Sequence, residues 1–208
     1  MATSSPWPLI HGERKALADD LANLDDAGWA TPSLCAHRSV RDVLAHMTAT
    51  AKMTPAKFLA KMAGSGFKFN AMTDKEVRNE TAGTAADGLA EFRSLLTATS
   101  HPPGPVEAML GEAVIHSEDI RRPLGIKRQY PNEAVVRVAD FYKGSNLIVG
   151  AKSRIAGLKL TATDTQWSTG SGPEVTGPIL SLVMVMTGRS VALDDLAGDG
   201  LTTLRSRL

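Results

Sequence analysis

Apolar residues recur at helical spacing through most of the chain. Leu9, Ile10, Leu17, Leu21 and Leu24 fall mostly on one stripe, with charged residues between them, which predicts a first helix from Trp7 to Leu24. Asp25-Asp26-Ala27-Gly28 ends it. Trp29 to Cys35 is expected as a loop, because Pro32 discourages helix at Thr31. Ser39 is a good N-cap with Asp42 three residues on, so a second helix starts there, with Val40, Val43, Leu44 and Met47 inward. It runs to about Met62, with Thr54-Pro55 a candidate break. Gly64-Ser65-Gly66 opens a looser segment in which Phe67 and Phe69 are expected to tuck inward. A third helix starts at Thr84 or Asp87, with Leu89, Phe92, Leu95 and Leu96 inward. After the loop Ser100 to Pro105, a fourth helix opens at Pro105-Val106 and stops near Pro123 and Gly125.

Pro131 to about Ser153 predicts a fifth helix, carrying Val135, Val138, Phe141, Leu147 and Ile148. The period then changes. Leu158 to Thr163 alternates with period two and reads as a strand, and Gln166 to Thr169 as a second short one. Little strand is expected between Thr163 and Gly177, with a turn over Gly170-Ser171-Gly172-Pro173. Ile179 to Met186 is a short, strongly apolar helix, and Leu201 to Leu208 is strand or helix. The fold class is therefore mainly α. A four-helix bundle is expected over residues 1–154, with a small α+β C-terminal domain over 155–208.

Composition narrows the function classes. A chain of 208 residues with net charge +1 has no strong field for nucleic acid or an anionic membrane. No apolar run approaches the length of a membrane span. The N-terminal Met1-Ala2-Thr3-Ser4-Ser5-Pro6 lacks the basic and apolar regions of a signal peptide, so a cytoplasmic protein is expected. The single cysteine, Cys35, excludes an intramolecular disulfide and reads as a small core or loop residue rather than a nucleophile.

Candidate chemistry lies on the fourth helix. Glu112 and His116 are four residues apart, so they stack on one face, and Asp119 follows three residues later. Both a carboxylate and an imidazole are zinc-type ligands. Such pairs also occur on solvated helix faces, and Asp119 with Arg121 and Arg122 fits the charged end of an exposed helix. A third ligand could come from His46 on the second helix, which borders that helix's apolar face. Taken alone, His46 reads more readily as a core histidine satisfied by hydrogen bonds than as a ligand. If the second and fourth helices face one another, His46, Glu112 and His116 could meet, leaving a coordination position open, the pattern of catalytic zinc. An Asp119 one turn beyond His116 could orient that ring.

Ser39-Val40-Arg41-Asp42 with Leu44-Ala45-His46-Met47, and the run Gly111 to Gly125, resemble the mycothiol-dependent maleylpyruvate isomerase family of DinB-like four-helix metalloenzymes. Trp29, then Pro32-Ser33-Leu34-Cys35, fits the same pattern. Trp167, the segment Gly172 to Gly188 and Gly198-Asp199-Gly200 resemble that family's small C-terminal domain, which is similar to sterol-carrier-protein folds. The resemblance implies a zinc or other divalent-metal site with His46, Glu112 and His116 as ligands. It implies mycothiol as thiol co-substrate, whose metal-bound thiolate adds to a small electrophile, and hence an isomerase or transferase. It also implies a catalytic arginine in the tail, for which Arg189, Arg205 and Arg207 are candidates. Arg205 and Asp119 are taken as the catalytic pair. The trimmed tail favours an electrophile other than maleylpyruvate. The expected partners are small molecules, in a monomer or homodimer, and the alternative is a non-catalytic metal- or ligand-binding module.

Overall fold

The computed structural model describes residues 4–147 and 149–208, and its contacts divide the chain into two compact units, Met1–Gln129 and Tyr130–Leu208. The chain is mainly helical, as the hydrophobic pattern predicts, and it carries a small three-stranded mixed sheet near the C-terminus. The division falls upstream of the boundary expected near residue 154, so the helix after Pro131 goes with the sheet. Among the described residues no helix is long and apolar enough to cross a membrane.

The first unit holds α1 (Trp7–Asp20), α2 (Asp26–Ala30), α3 (Val40–Ala51), α4 (Pro55–Gly64), α5 (Phe69–Glu80), α6 (Ala85–Ser94) and α7 (Glu107–Arg121). Helices α1, α3, α6 and α7 pack on one another, and α5 lies against α3. Leu17, Leu21, Val43, Leu44, Met47, Phe92 and Ile120 form the centre of the core. Two capping boxes start helices. The Ser39 hydroxyl accepts from the Asp42 amide while the Asp42 carboxylate accepts from Ser39, and Thr84 and Asp87 repeat the arrangement at α6.

Two local expectations are corrected here, and the break expected at Thr54-Pro55 is present. The expected stop at Asp25 is the N-cap of a short helix, because its carboxylate accepts the Gly28 amide at 2.8 Å. Pro55 splits the long second helix in two. Proline offers no amide and pushes the preceding residue out of helical space, so Thr54 is extended at φ −114, ψ 161 and caps α4. The segment after Gly66 is helix α5 rather than loose chain. Phe67 and Phe69 do not tuck in, being 75% and 47% exposed, with Met72 and Val77 buried instead.

The second unit holds α8 (Asn132–Gly144), α9 (Ala151–Arg154), β1 (Lys159–Ala162), β2 (Ser168–Gly170), β3 (Glu174–Gly177), α10 (Ile179–Met186), a 3₁₀ turn over Ser190–Asp195 and α11 (Leu201–Arg205). The expected fifth helix stops at Gly144, Leu147 is exposed, and Ile148 lies outside the described residues. Strand order is β2-β1-β3, with β2 antiparallel and β3 parallel to β1; Leu160 pairs Thr169 on one side and Val175 on the other. Strand β3 is absent from the sequence expectation. The turn over Gly170 to Pro173 is present and needs glycine: at Gly170, with φ +77, a Cβ would lie 2.1 Å from the Leu158 carbonyl oxygen. Helix α10 is buried almost throughout and packs against α8.

Candidate metal centre

Helices α3 and α7 pack side by side and bring two histidines together. The capping box fixes the start of α3, and Val43 and Met47 point into the core. His46, between them in the helical sequence, falls at the edge of that face. On α7, Met109, Ala113, Val114 and Ile120 are buried, and His116 sits at the corresponding margin. The two rings meet edge to face, with centroids 5.0 Å apart and planes at 84°.

Asp119 lies three residues beyond His116 and is completely buried. Its Oδ2 is 2.8 Å from His116 Nδ1. With the carboxylate ionised, Nδ1 carries the proton and donates, which leaves the lone pair on Nε2. A carboxylate behind a histidine in this way fixes both ring orientation and tautomer, as at many metal-binding imidazoles.

Cys35 approaches the same carboxylate from a loop. Its thiol donates to Asp119 Oδ2 at 3.0 Å, and its sulfur is 3.7 Å from His116 Nδ1. The loop is held to α7 by the backbone: the Leu34 amide donates to the Asp119 carbonyl at 3.1 Å. Within the loop, the Ser33 amide donates to the Arg38 carbonyl and the Cys35 amide to the Ser33 hydroxyl. The Arg38 amide closes a turn onto the Cys35 carbonyl, and His37 takes φ +62, a conformation that side chains bearing a Cβ seldom adopt. One donor atom each from Cys35, His116 and Asp119 lies within 4.8 Å of the others, a grouping able to hold a metal ion. Cys35 is a half-buried loop residue, as the sequence predicts, and nothing in its local sequence marks it as a neighbour of α7.

Glu112 stands one turn away from this cluster. Its carboxyl hydrogen-bonds the Thr50 side chain, so the i, i+4 pairs His46/Thr50 and Glu112/His116 face one another across the helix contact. Burial pushes the Glu112 carboxyl up to about 8, against the opposing pull of the Arg14 charge and the Thr50 hydrogen bond. Burial, with the neighbouring His116 and Arg38, pushes His46 down to about 3, so that its imidazole is neutral at neutral pH. Arg205 closes α11 in the second unit and is exposed.

Cys35, His46 and His116 open onto a cleft of about 550 Å³. Its wall includes Phe69, Arg78 and Arg38, the last paired with Asp74 at 2.7 Å. The donor chemistry suits a divalent metal of the zinc type: two imidazoles meeting edge to face, one backed by a buried carboxylate, with a thiol beside it.

Two crystal structures of the mycothiol-dependent maleylpyruvate isomerase, one of them of a histidine-to-alanine mutant, resemble the chain with a TM-score of 0.62. Each is 16% identical to it, and the match covers 93% of this chain and 91% of theirs. At that identity the likeness concerns the fold. No curated protein matches the chain. The family model described as "Mycothiol maleylpyruvate isomerase N-terminal domain" matches residues 10–101, a span that contains Cys35 and His46 and ends before α7. The similarity to that family thus covers residues 10–101, a little under half of the chain.

Proposed function

We propose that this protein is a divalent-metal- and thiol-dependent transferase or isomerase acting on a small electrophile, with zinc as the metal and mycothiol as the thiol. The observation that carries the reading is the meeting of His46 and His116 at 5.0 Å, backed by Asp119 and open to a cleft with room for a small substrate. His46 and His116 would hold the metal, with Glu112 as the further ligand that the family resemblance implies. When bound, the metal lowers the pKa of a coordinated thiol and so supplies a nucleophile at neutral pH.

The chain's own residues have separate tasks. The α3–α7 contact places the two imidazoles. Asp119 keeps His116 in one tautomer and one orientation. Phe69 and Arg78, on the cleft wall, offer an apolar surface and a cation to the substrate. Arg205 is the proposed catalytic residue of the tail. Binding partners are small molecules, and the cytoplasm is the proposed location.

The test is elemental analysis of the zinc-loaded protein followed by turnover of mycothiol with a panel of small electrophiles, with and without chelator. One metal per chain and chelator-sensitive turnover are expected. Stoichiometric metal with thiol binding but no turnover would make the protein a binding module. Failure to take up any divalent metal would overturn the reading.

A further inference from the structure

We infer that the hairpin of α4 and α5 docks on an anionic lipid surface, lying in the interface without crossing it.

The first unit leaves few large apolar side chains in water. Among its described residues they are Leu59, 62% exposed, with Phe67 and Phe69. All three lie on α4, at the head of α5 or in the turn between them. Helix α4 packs on α5, and none of its ten residues is buried. Phe58 and Met62, each half-buried, share a helical face with Leu59, while Lys57 and Lys61 fall on a different one. An exposed apolar cluster of this kind marks an interaction surface.

The turn holds an aromatic ring outward. The Gly66 amide donates to the Ala63 carbonyl at 3.0 Å and the Phe67 amide to the Met62 carbonyl at 2.8 Å, the Schellman pattern of a helix end. The residue at the Phe67 position of that motif usually packs back onto its helix. Phe67 stays in solvent instead, and its φ of +59 is one that a bulky side chain seldom adopts. Backbone strain of this sort gathers at binding sites.

Charge says what covers the patch. The chain's net charge of +1 hides a local excess. Between Pro55 and Asn79, five cations (Lys57, Lys61, Lys68, Lys75 and Arg78) stand against two carboxylates, so the hairpin carries +3 and the rest of the chain −2. Both carboxylates are engaged, Glu76 by Lys61 and Asp74 by Arg38. Lys57 and Lys68, beside the apolar side chains, are exposed. Phe and Leu on one face with lysines around them is the pattern of interfacial helices, whose apolar side chains enter the headgroup region while the cations meet anionic lipid. A second copy seated symmetrically would set Lys57 and Lys68 near their own counterparts, like charge facing like. A lipid surface asks only for apolar insertion beside diffuse positive charge. Phe69 also lines the cleft, so docking brings the cleft's mouth to the lipid surface.

The full chain is sedimented with vesicles of equimolar phosphatidylglycerol and phosphatidylcholine, and with vesicles of phosphatidylcholine alone. Binding to the first is expected, about tenfold or more tighter than to the second and weakening as salt rises. Each lysine near such a surface contributes about fivefold to binding, so Lys57→Gln combined with Lys68→Gln is expected to weaken it about 25-fold. Phe67→Ser, which removes the inserted ring, is expected to weaken it about tenfold or more. These side chains are exposed, so each variant is expected to melt like wild type. No sedimentation with the anionic vesicles would overturn the inference. So would binding that Phe67→Ser leaves unchanged, because charge alone would then account for it. A dimer that Phe67→Ser dissolves, in a chain that ignores vesicles, would give the surface to a second copy and overturn it as well.

Discussion

Asp119→Asn separates the charge behind His116 from its shape. Two side-chain contacts of Asp119 end on Oδ2, from His116 Nδ1 at 2.8 Å and from Cys35 Sγ at 3.0 Å. An asparagine is nearly isosteric and can place its amide oxygen at that point, so the buried site keeps its packing and both donors keep an acceptor. What is lost is the negative charge. Charge-assisted hydrogen bonds are about twice as strong as neutral ones, and a carboxylate also raises the basicity of the imidazole it supports. Removing such a supporting carboxylate typically weakens metal binding about 10- to 100-fold, which corresponds to roughly 1.4–2.7 kcal/mol. The same loss, or a larger one, follows if Asp119 binds the metal directly. Zinc affinity is measured by competition with a chromophoric chelator, and a thermal melt of the metal-free variant checks the fold. Zinc affinity within about twofold of wild type, in a variant that melts like wild type, would refute the argument. Asp119 would then be a buried packing residue, and the contact to His116 would carry no consequence for a metal.

What could be read in the chain depended on whether the signal lay within one element. The N-caps of α3 and α6 were legible because a capping box is a four-residue pattern satisfied by its own backbone. The reach of Asp119 to His116 follows from helical spacing in the same way. That His46 and His116 face one another is a step further, and follows from placing each at the edge of an apolar face on packed helices. Helix α5 was missed because only Met72, Glu76 and Val77 are buried along its length, too few to mark a stripe. Strand β3 was missed for a related reason: its buried positions are Val175 and Gly177, and a glycine leaves no alternation to see. Phe67 and Phe69 misled the reading because their size argued for burial where the chain leaves them on the surface. Cys35 gave no warning at all. It reaches α7 through a loop held by a backbone bond from Leu34 to Asp119, and such a bond makes no demand on side-chain identity.

Two further outcomes are expected of the metal-free protein. Arg121 is completely buried and its Nε donates to Asp20 at 2.7 Å, joining α7 to α1. Arg121→Met should cost about 3 kcal/mol by urea denaturation, the low end for a broken buried pair because Asp20 is partly exposed; a cost below about 1 kcal/mol would show that the pair holds nothing together. The last outcome is a stability profile set by two groups of opposite sign. His46 is held down to about 3 in the folded chain against an ordinary 6.5, so the unfolded chain binds the proton first. Its contribution is present above pH 6.5 and is lost as pH falls toward 3. Glu112 is held up to about 8 against an ordinary 4.5, so the folded chain keeps a proton that the unfolded chain gives up. Its contribution is present below pH 4.5 and is lost as pH rises through 8. The two losses run in opposite directions, so each is read from its own variant. Melting temperature followed across pH should show the acid-side loss reduced in His46→Gln and the loss between 4.5 and 8 reduced in Glu112→Gln. Because glutamine keeps the size of Glu112 and a hydrogen-bonding partner for Thr50, a changed slope there reports the proton rather than the packing. Parallel curves for wild type and Glu112→Gln across that window would mean that the buried carboxyl ionises as freely as one in water.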